Sequence, residues 1–140
     1  MSQQIDIRVY FEDTDAGGVV FYANYLNFYE RARTEFLREL GFEQDDLLQQ
    51  NIVFVVRNIT VDFVQAARFN DMLTVRTAIL QLKKASLVFR QEIFTERAGQ
   101  SVLLNQADVK MVCVQADVFK PAAIPSDIAA KLQLEKKIDE

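Results

Sequence analysis

The chain has 140 residues, half of them hydrophobic and 26% charged, which is the composition of one globular domain and excludes an intrinsically disordered chain. Its formal net charge of −4 argues against nucleic acid as a main partner, because phosphate binding favours a strongly basic surface. With one cysteine and no histidine, catalytic devices built on histidine are excluded, and we expect no metal site.

The first residues and the single cysteine bear on where the protein works. Residues 1–6 lack the basic region and apolar stretch of a secretory signal, and no apolar run approaches the ~20 residues of a membrane span. Cys113 has no second cysteine with which to form an intrachain disulfide, so nothing in cysteine usage indicates export. We therefore expect a cytoplasmic protein that does not insert into membranes.

The chain begins with a strand, a loop and a long helix. Residues 5–11 alternate apolar with mostly polar side chains, which predicts a half-buried strand. After a loop at residues 12–20, a helix is predicted from Phe21 or Tyr22 to Leu40, because Gly41 is a typical C-terminal stop. The apolar side of this helix is predicted to contain Tyr22, Tyr25, Leu26, Tyr29, Phe36, Leu37 and Leu40, widened by Phe28 and Ala32.

Strand signals dominate the remainder of the chain. After a short helical piece at residues 44–50, strands are predicted at 52–64, 72–82, 86–95 and 101–114, followed by a terminal helix at 128–138. Four strands joined by short turns imply a meandering, largely antiparallel sheet. The fold class is α+β, a single domain over residues 1–140 with one helix packed on one face of the sheet.

The segment with the strongest chemical signal is residues 12–25, Glu-Asp-Thr-Asp-Ala-Gly-Gly-Val-Val-Phe-Tyr-Ala-Asn-Tyr. It places carboxylates just before a helix whose first N–H groups lack partners within the helix and carry partial positive charge. A carboxylate held beside such donors is a nucleophile or base next to an oxyanion hole. Asp15 is the main candidate, because Gly17-Gly18 would let the backbone fold back towards Tyr22. The local pattern fits equally well an Asp15 that only forms a turn.

This motif, together with the order strand, helix and four strands, resembles the hotdog-fold thioesterases. Within that fold, the chain is most similar to the 4-hydroxybenzoyl-CoA thioesterase group and to bacterial Tol-Pal-associated acyl-CoA thioesterases. The resemblance continues through residues 28–35, and later segments that support it are 55–57, 71–73, 86–89 and 105–108. It implies an antiparallel sheet wrapped around one long central helix, and an acyl-CoA thioesterase that needs no cofactor.

The resemblance also implies roles for individual residues. Asp15 falls at the position of the catalytic carboxylate, and the backbone N–H of Tyr22 at that of the donor that polarises the thioester carbonyl. Lys83 and Lys84 fall near the residues that meet the nucleotide phosphates of coenzyme A. The family forms homodimers, and often homotetramers, with the active site between subunits. The substrate-binding set expected from these considerations is Gly17, Gly18, Val19, Phe21, Tyr25, Lys83, Lys84 and Ser86.

One departure from the family pattern concerns Tyr22. Tol-Pal-associated members usually have His at this position, whereas the 4-hydroxybenzoyl-CoA enzyme has Tyr, and a backbone donor tolerates either side chain. We expect a short-chain or aromatic acyl-CoA as substrate, with an acyl carrier protein as an alternative carrier. The main alternative is a non-catalytic module that binds acyl-CoA, acyl carrier protein or an envelope-associated partner. Dehydratase or hydratase chemistry ranks below both, because members of that type generally use a His.

Two other charged residues have structural interpretations. Asp13 is expected to order the loop by accepting backbone hydrogen bonds. Arg33 falls inside the apolar side of the predicted helix, and a buried guanidinium needs a partner. We therefore expect Arg33 to pair with Glu30, or with Asp108 or Asp62 on the sheet.

Overall fold

The computed structural model describes residues 3–139, with side chains described for residues 3–136. This part of the chain contains five strands and three α-helices, together with two 3₁₀ turns at Phe11–Asp13 and Tyr22–Asn24. The strands are β1 (Gln3–Arg8), β2 (Ile52–Phe63), β3 (Met72–Leu82), β4 (Ser86–Arg97) and β5 (Gln100–Gln115). The helices are α1 (Tyr25–Glu39), α2 (Gln44–Gln49) and α3 (Ser126–Asp139). Of these helices, none combines the length and apolarity needed to cross a bilayer.

The strands form one antiparallel sheet in the order β1-β3-β4-β5-β2. The prediction of an α+β fold with an antiparallel sheet is confirmed, but the predicted meander holds only for β3, β4 and β5. Strand β2 pairs with β5 and not with β3, from Ile52 opposite Gln115 to Phe63 opposite Asn105. Residues 64–71 then cross the sheet to reach β3 on its other side. This pairing leaves β2 at one edge of the sheet, with one side of its backbone unpaired.

Helix α1 packs its apolar side onto the sheet. Phe28, Tyr29 and Phe36 are fully or almost fully buried, and the ring of Phe36 meets that of Phe89 on β4 edge to face at 5.4 Å. The predicted stop at Gly41 is confirmed, because this glycine has φ of +93° and its N–H donates to the carbonyl of Arg38. Together with the bond from the next N–H to Leu37, this forms a Schellman cap.

The start of α1 and part of its predicted apolar side differ from the sequence-based prediction. Residues Tyr22–Asn24 form a 3₁₀ turn, and the regular α-helix begins only at Tyr25. The N–H of Phe21 donates instead to the carbonyl of Asp13, so Phe21 belongs to the loop. As a consequence, Tyr22 lies outside the buried face with 67% of its surface exposed.

Arg33 is buried as predicted, but the predicted acidic partner is wrong. Its Nη1 donates to Oε1 of Gln91 on β4 at 2.9 Å, and within the described part of the chain no carboxylate forms an ion pair with it. Asp108 is instead paired with Arg90, its neighbour across the β4–β5 ladder. Gln91 Nε2 in turn donates to the carbonyl of Tyr29, so the polar group that receives Arg33 is itself fixed by the helix.

Candidate functional site

The loop before α1 folds back on itself as a tight hairpin. Thr14 and Val20 face each other in an antiparallel bridge, and the N–H of Asp15 donates to the carbonyl of Val19 at 2.9 Å. Gly18 sits in the turn with φ of +78°, a conformation that favours glycine, and its N–H donates to the carbonyl of Asp15. Because the N–H of Phe21 also donates to the carbonyl of Asp13, the hairpin places residues 13–15 opposite residues 21–19, so Asp15 lies two residues along the strand from the point where the chain enters the helical segment.

The two aspartates of this loop occupy different environments. Asp13 is buried; its Oδ2 accepts from the N–H of Tyr10 and its Oδ1 accepts from Nδ2 of Asn24, both at 2.8 Å. The prediction that Asp13 orders the loop is confirmed. Asp15 is exposed in the single chain, and its Oδ1 accepts from the N–H of Gly17 at 2.8 Å. This leaves its second carboxylate oxygen, Oδ2, without a hydrogen-bond donor among the described residues.

The start of the 3₁₀ turn presents free backbone donors. The N–H of Asn24 donates to the carbonyl of Phe21, but those of Tyr22 and Ala23 have no acceptor among the residues that the structure describes. Such N–H groups at the start of a helical segment attract a negatively charged oxygen. The site therefore offers an exposed carboxylate and unoccupied N–H donors on adjoining turns of the same loop.

A second segment, residues 67–69 in the connection between β2 and β3, supports the loop through backbone hydrogen bonds. The N–H of Val20 donates to the carbonyl of Ala67 at 2.8 Å, Val19 forms a bridge with Arg68, and the N–H of Phe69 donates to the carbonyl of Gly18. This support is not recognisable from the sequence, since it comes from the connection between β2 and β3. The only sequence signal is the turn-like Phe69-Asn70-Asp71 that follows.

The supporting segment is itself anchored by side chains. The Nη2 atom of Arg97, on β4, donates to the carbonyl of Ala66 at 2.8 Å and to Oδ2 of Asp71 at 3.1 Å. The same carboxylate oxygen of Asp71 accepts from the N–H of Arg68 at 2.9 Å. These bonds connect the end of β4 to the segment that supports the loop of the candidate site.

The aromatic residues around the start of α1 lie in two environments. Phe21 and Tyr22 are exposed, with their ring centroids 4.9 Å apart. Tyr25 is buried instead, and its hydroxyl oxygen accepts a hydrogen bond from the N–H of Ala67 at 3.0 Å. Burial raises the pKa of the Tyr25 hydroxyl above its ordinary value. In the single chain, Tyr25 is therefore placed to fix the loop rather than to line an open surface.

Lys83 and Lys84 lie far from Asp15 within one chain. They are in the turn between β3 and β4, where the N–H of Lys83 donates to the carbonyl of Ser86 at 2.8 Å. The Asp15 loop lies at the opposite end of the sheet, because its supporting segment leads into the start of β3. β3 has 11 residues, so at about 3.3 Å per residue the two ends are roughly 35 Å apart. One chain does not bring all the predicted site residues together.

Comparisons with known proteins identify the family to which the chain belongs. Residues 9–132 match the thioesterase-like superfamily. The acyl-CoA thioester hydrolase YbgC of Escherichia coli is 47% identical over 127 residues, which cover 91% of this chain and 92% of the relative. A solved gentisyl-coenzyme A thioesterase superposes with a TM-score of 0.80 at 31% identity, covering 90% of this chain and 98% of that one. An aspartate-to-asparagine mutant of 4-hydroxybenzoyl-CoA thioesterase in complex with 4-hydroxybenzoyl-CoA superposes with a TM-score of 0.85 at 25% identity, covering 94% and 98%.

Proposed function

The chain belongs to the thioesterase-like superfamily, and from that premise we propose that it hydrolyses the thioester bond of a short-chain or aromatic acyl-CoA. This match confirms the family and the hotdog fold that the sequence resemblance implied. Together with the 47% identity to an acyl-CoA thioester hydrolase, it shows that the protein is an acyl-CoA thioesterase. The proposal concerns the acyl group, the residues that act on it and the assembly in which they act.

The observation that carries the proposal is that one loop holds both the exposed carboxylate of Asp15, in its hairpin, and the free N–H groups of Tyr22 and Ala23, in the 3₁₀ turn that follows. The thioester carbonyl would lie at the start of the 3₁₀ turn, with its oxygen accepting a hydrogen bond from the Tyr22 N–H. Loss of one such donor typically costs ~3 kcal/mol of transition-state stabilisation. The backbone supplies this donor, so a tyrosine side chain at position 22 is compatible with the role.

Asp15 then acts by one of two routes. In the first, its carboxylate attacks the carbonyl carbon, coenzyme A leaves as the thiolate, and water hydrolyses the resulting acyl–aspartyl anhydride. In the second, the carboxylate accepts a proton from a water molecule that attacks the carbonyl directly. Both routes consume one water and release a carboxylic acid and coenzyme A thiol. The polarised carbonyl is required in either case.

The choice of acyl group rests on the relatives and on the surface next to the loop. The relatives include thioesterases of gentisyl-CoA and 4-hydroxybenzoyl-CoA, which carry aromatic acyl groups. In this chain, the exposed rings of Phe21 and Tyr22 lie at the start of the helix, where a planar acyl group could stack. Val19, with Gly17 and Gly18 in the turn, would border the same space.

The separation of the two ends of the sheet, roughly 35 Å, supports a homodimer as the active assembly. β2 is an edge strand, and two copies paired antiparallel through β2 would bring the Lys83–Lys84 end of one chain to the Asp15 end of the other. The lysine ammonium groups and the nearby Ser86 would then bind the phosphates of the coenzyme A on which the partner acts. Such an arrangement also covers the unpaired backbone of β2.

A thiol-release assay across a panel of acyl-CoAs tests the function. We expect turnover with benzoyl-type or short aliphatic thioesters, and a lower kcat/KM when the same acyl groups are carried by acyl carrier protein. Tight binding of the panel without thiol release would contradict the proposal and identify a non-catalytic acyl-CoA binding module.

A further inference from the structure

The buried guanidinium of Arg33 opens onto a cavity on the sheet side of α1. The cavity has a volume of about 190 Å³ and lies between α1, α3 and strands β2, β4 and β5. Most of its wall is apolar, contributed by Leu37, Phe54, Leu87, Phe89, Met111 and Leu132. Asp15 and Tyr22 do not line it, so within one chain it is separate from the proposed catalytic loop.

The hydrogen bonds of Arg33 are far from complete. A guanidinium has five N–H donors, and within the described residues the side chain makes one hydrogen bond, to Gln91. Among the described residues, the side-chain polar atom that is both inaccessible to solvent and without a hydrogen-bond partner is Nδ2 of Asn105, and no nitrogen of Arg33 is in that state. The unpaired nitrogens of Arg33 are therefore not sealed by protein, and the cavity that the residue lines is the space they face.

The charge of Arg33 is also incompletely balanced. Only 8% of the surface of Arg33 is exposed, yet the residue has no ion pair within the described residues. Burial lowers the pKa of Arg33, and the negative charge of Glu30 partly opposes this change. Glu30 itself is exposed at the rim of the cavity, where its Oε1 accepts from the hydroxyl of Thr34 at 3.1 Å. A buried cation with most of its donors free is costly unless an anion completes it.

We propose that this cavity binds a small apolar carboxylic acid, with Arg33 donating to the carboxylate and the hydrocarbon part lying against the apolar wall. The planar fork of a guanidinium matches a carboxylate, and the apolar wall disfavours a strongly hydrated ion such as inorganic phosphate. Apolar cavities of about 150 Å³ accept benzene, so this one has room for a ring or a short chain. The choice of an acid rests on the proposed function, because thioester hydrolysis releases acids of this class.

Calorimetric titration with benzoate and hexanoate, each compared with its neutral amide, tests the proposal without turnover. The acids should bind the unmodified protein, and the amides should bind at least about tenfold more weakly, as expected for loss of a charge-assisted hydrogen bond. Arg33→Met should weaken acid binding by about the same factor. Arg31→Met removes one positive charge from the exposed side of the same helix, so acid affinity should be unchanged in that variant.

Two further variants keep the test decisive if Arg33→Met does not fold. Met111→Phe should narrow the cavity and weaken acid binding while leaving Arg33 in place. Glu30→Gln should tighten acid binding, because it removes a negative charge from the rim. Equal binding of acid and amide, no binding of either, or unchanged affinity in Met111→Phe would overturn the proposal. Because binding is measured directly, these results are independent of whether Asp15 catalyses hydrolysis.

Discussion

The buried N–H of Ala67 donates a hydrogen bond to the hydroxyl oxygen of Tyr25 at 3.0 Å, and the carbonyl of Ala67 accepts one from the N–H of Val20 at 2.8 Å. One residue of the supporting segment thus connects the first turn of α1 to the loop that carries Asp15. Tyr25→Phe should leave the Ala67 N–H without an acceptor, at a cost of about 1–3 kcal/mol in the free energy of unfolding. We also expect kcat to fall more than KM changes, because the loop loses its support.

The matched variant is Tyr29→Phe, which removes another buried hydroxyl of α1. That hydroxyl donates to Oδ1 of Asn105, in the core and away from the loop. Urea unfolding should show a comparable loss of stability in both variants, whereas turnover should drop only in Tyr25→Phe. A parallel fall of kcat in the two proteins would mean that the tyrosine acts on stability alone.

Asp15→Asn should separate catalysis from folding. An asparagine side-chain oxygen still accepts from the N–H of Gly17, so we expect the melting temperature to stay close to that of the unmodified protein. Thiol release should fall by orders of magnitude, because the amide neither attacks a carbonyl nor accepts a proton from water. Unchanged turnover would remove Asp15 from the mechanism.

In contrast to Asp15→Asn, Asp13→Asn should lower the stability of the fold. The carboxylate of Asp13 accepts from two donors, the N–H of Tyr10 and Nδ2 of Asn24, and an asparagine has only one oxygen to offer them. The NH₂ group of the asparagine would face one of these two N–H donors without an acceptor between them, which we expect to lower the free energy of unfolding by about 1–3 kcal/mol. Thermal denaturation of the two variants side by side checks the contrast.

The glycines of the hairpin should differ in their effects. A Cβ at Gly17 would lie 3.2 Å from Oδ1 of Asp15, so Gly17→Ala should displace the carboxylate and lower kcat by about tenfold or more. At Gly18 there is space for a Cβ, but φ is +78°, so Gly18→Ala should cost about 1–2 kcal/mol of stability through backbone strain. Gly99→Ala, at φ of +76° in the β4–β5 turn, is the control and should cost as much stability with full activity.

Local patterns account for the features that were correctly predicted from the sequence. The long helix, its stop at Gly41 and the burial of Arg33 follow from spacing within α1, and the strands follow from short apolar runs between turn residues. The loop motif is also local, which is why its residues could be named. In each case the information lies within one helix, strand or turn.

Features that depend on distant parts of the chain could not be predicted in this way. The pairing of β2 with β5, the Arg33–Gln91 bond across 58 residues and the Tyr25–Ala67 bond across 42 residues depend on how the strands are ordered. A helical projection indicates that Arg33 needs a partner, but it cannot distinguish an amide on β4 from an acid. Nor can it indicate that Lys83 and Lys84 lie at the far end of the sheet from Asp15.

Replacing both Lys83 and Lys84 with alanine should raise KM more than it lowers kcat, because the proposed contacts are with the phosphates and not with the reacting carbonyl. In the unmodified protein, KM should rise with salt concentration as the attraction is screened, and this dependence should be weaker in the double variant. Steady-state kinetics at low and high ionic strength check both statements. Loss of kcat at constant KM would place the lysines in a different role.

Alkaline pH should destabilise the fold through its buried tyrosines. Burial raises the pKa of Tyr29 and of Tyr25 above the ordinary value of 10.0, with desolvation as the largest cause for both. Because the folded-state pKa values are the higher ones, the unfolded chain releases these protons first, and the stabilising contribution is complete below pH 10 and declines above it. Between its unfolded and its folded pKa, each group should remove about 1.4 kcal/mol per pH unit. Urea unfolding from pH 9 to 11 should show this decline, and Tyr29→Phe should have a shallower slope. An identical slope in Tyr29→Phe would mean that this hydroxyl does not contribute.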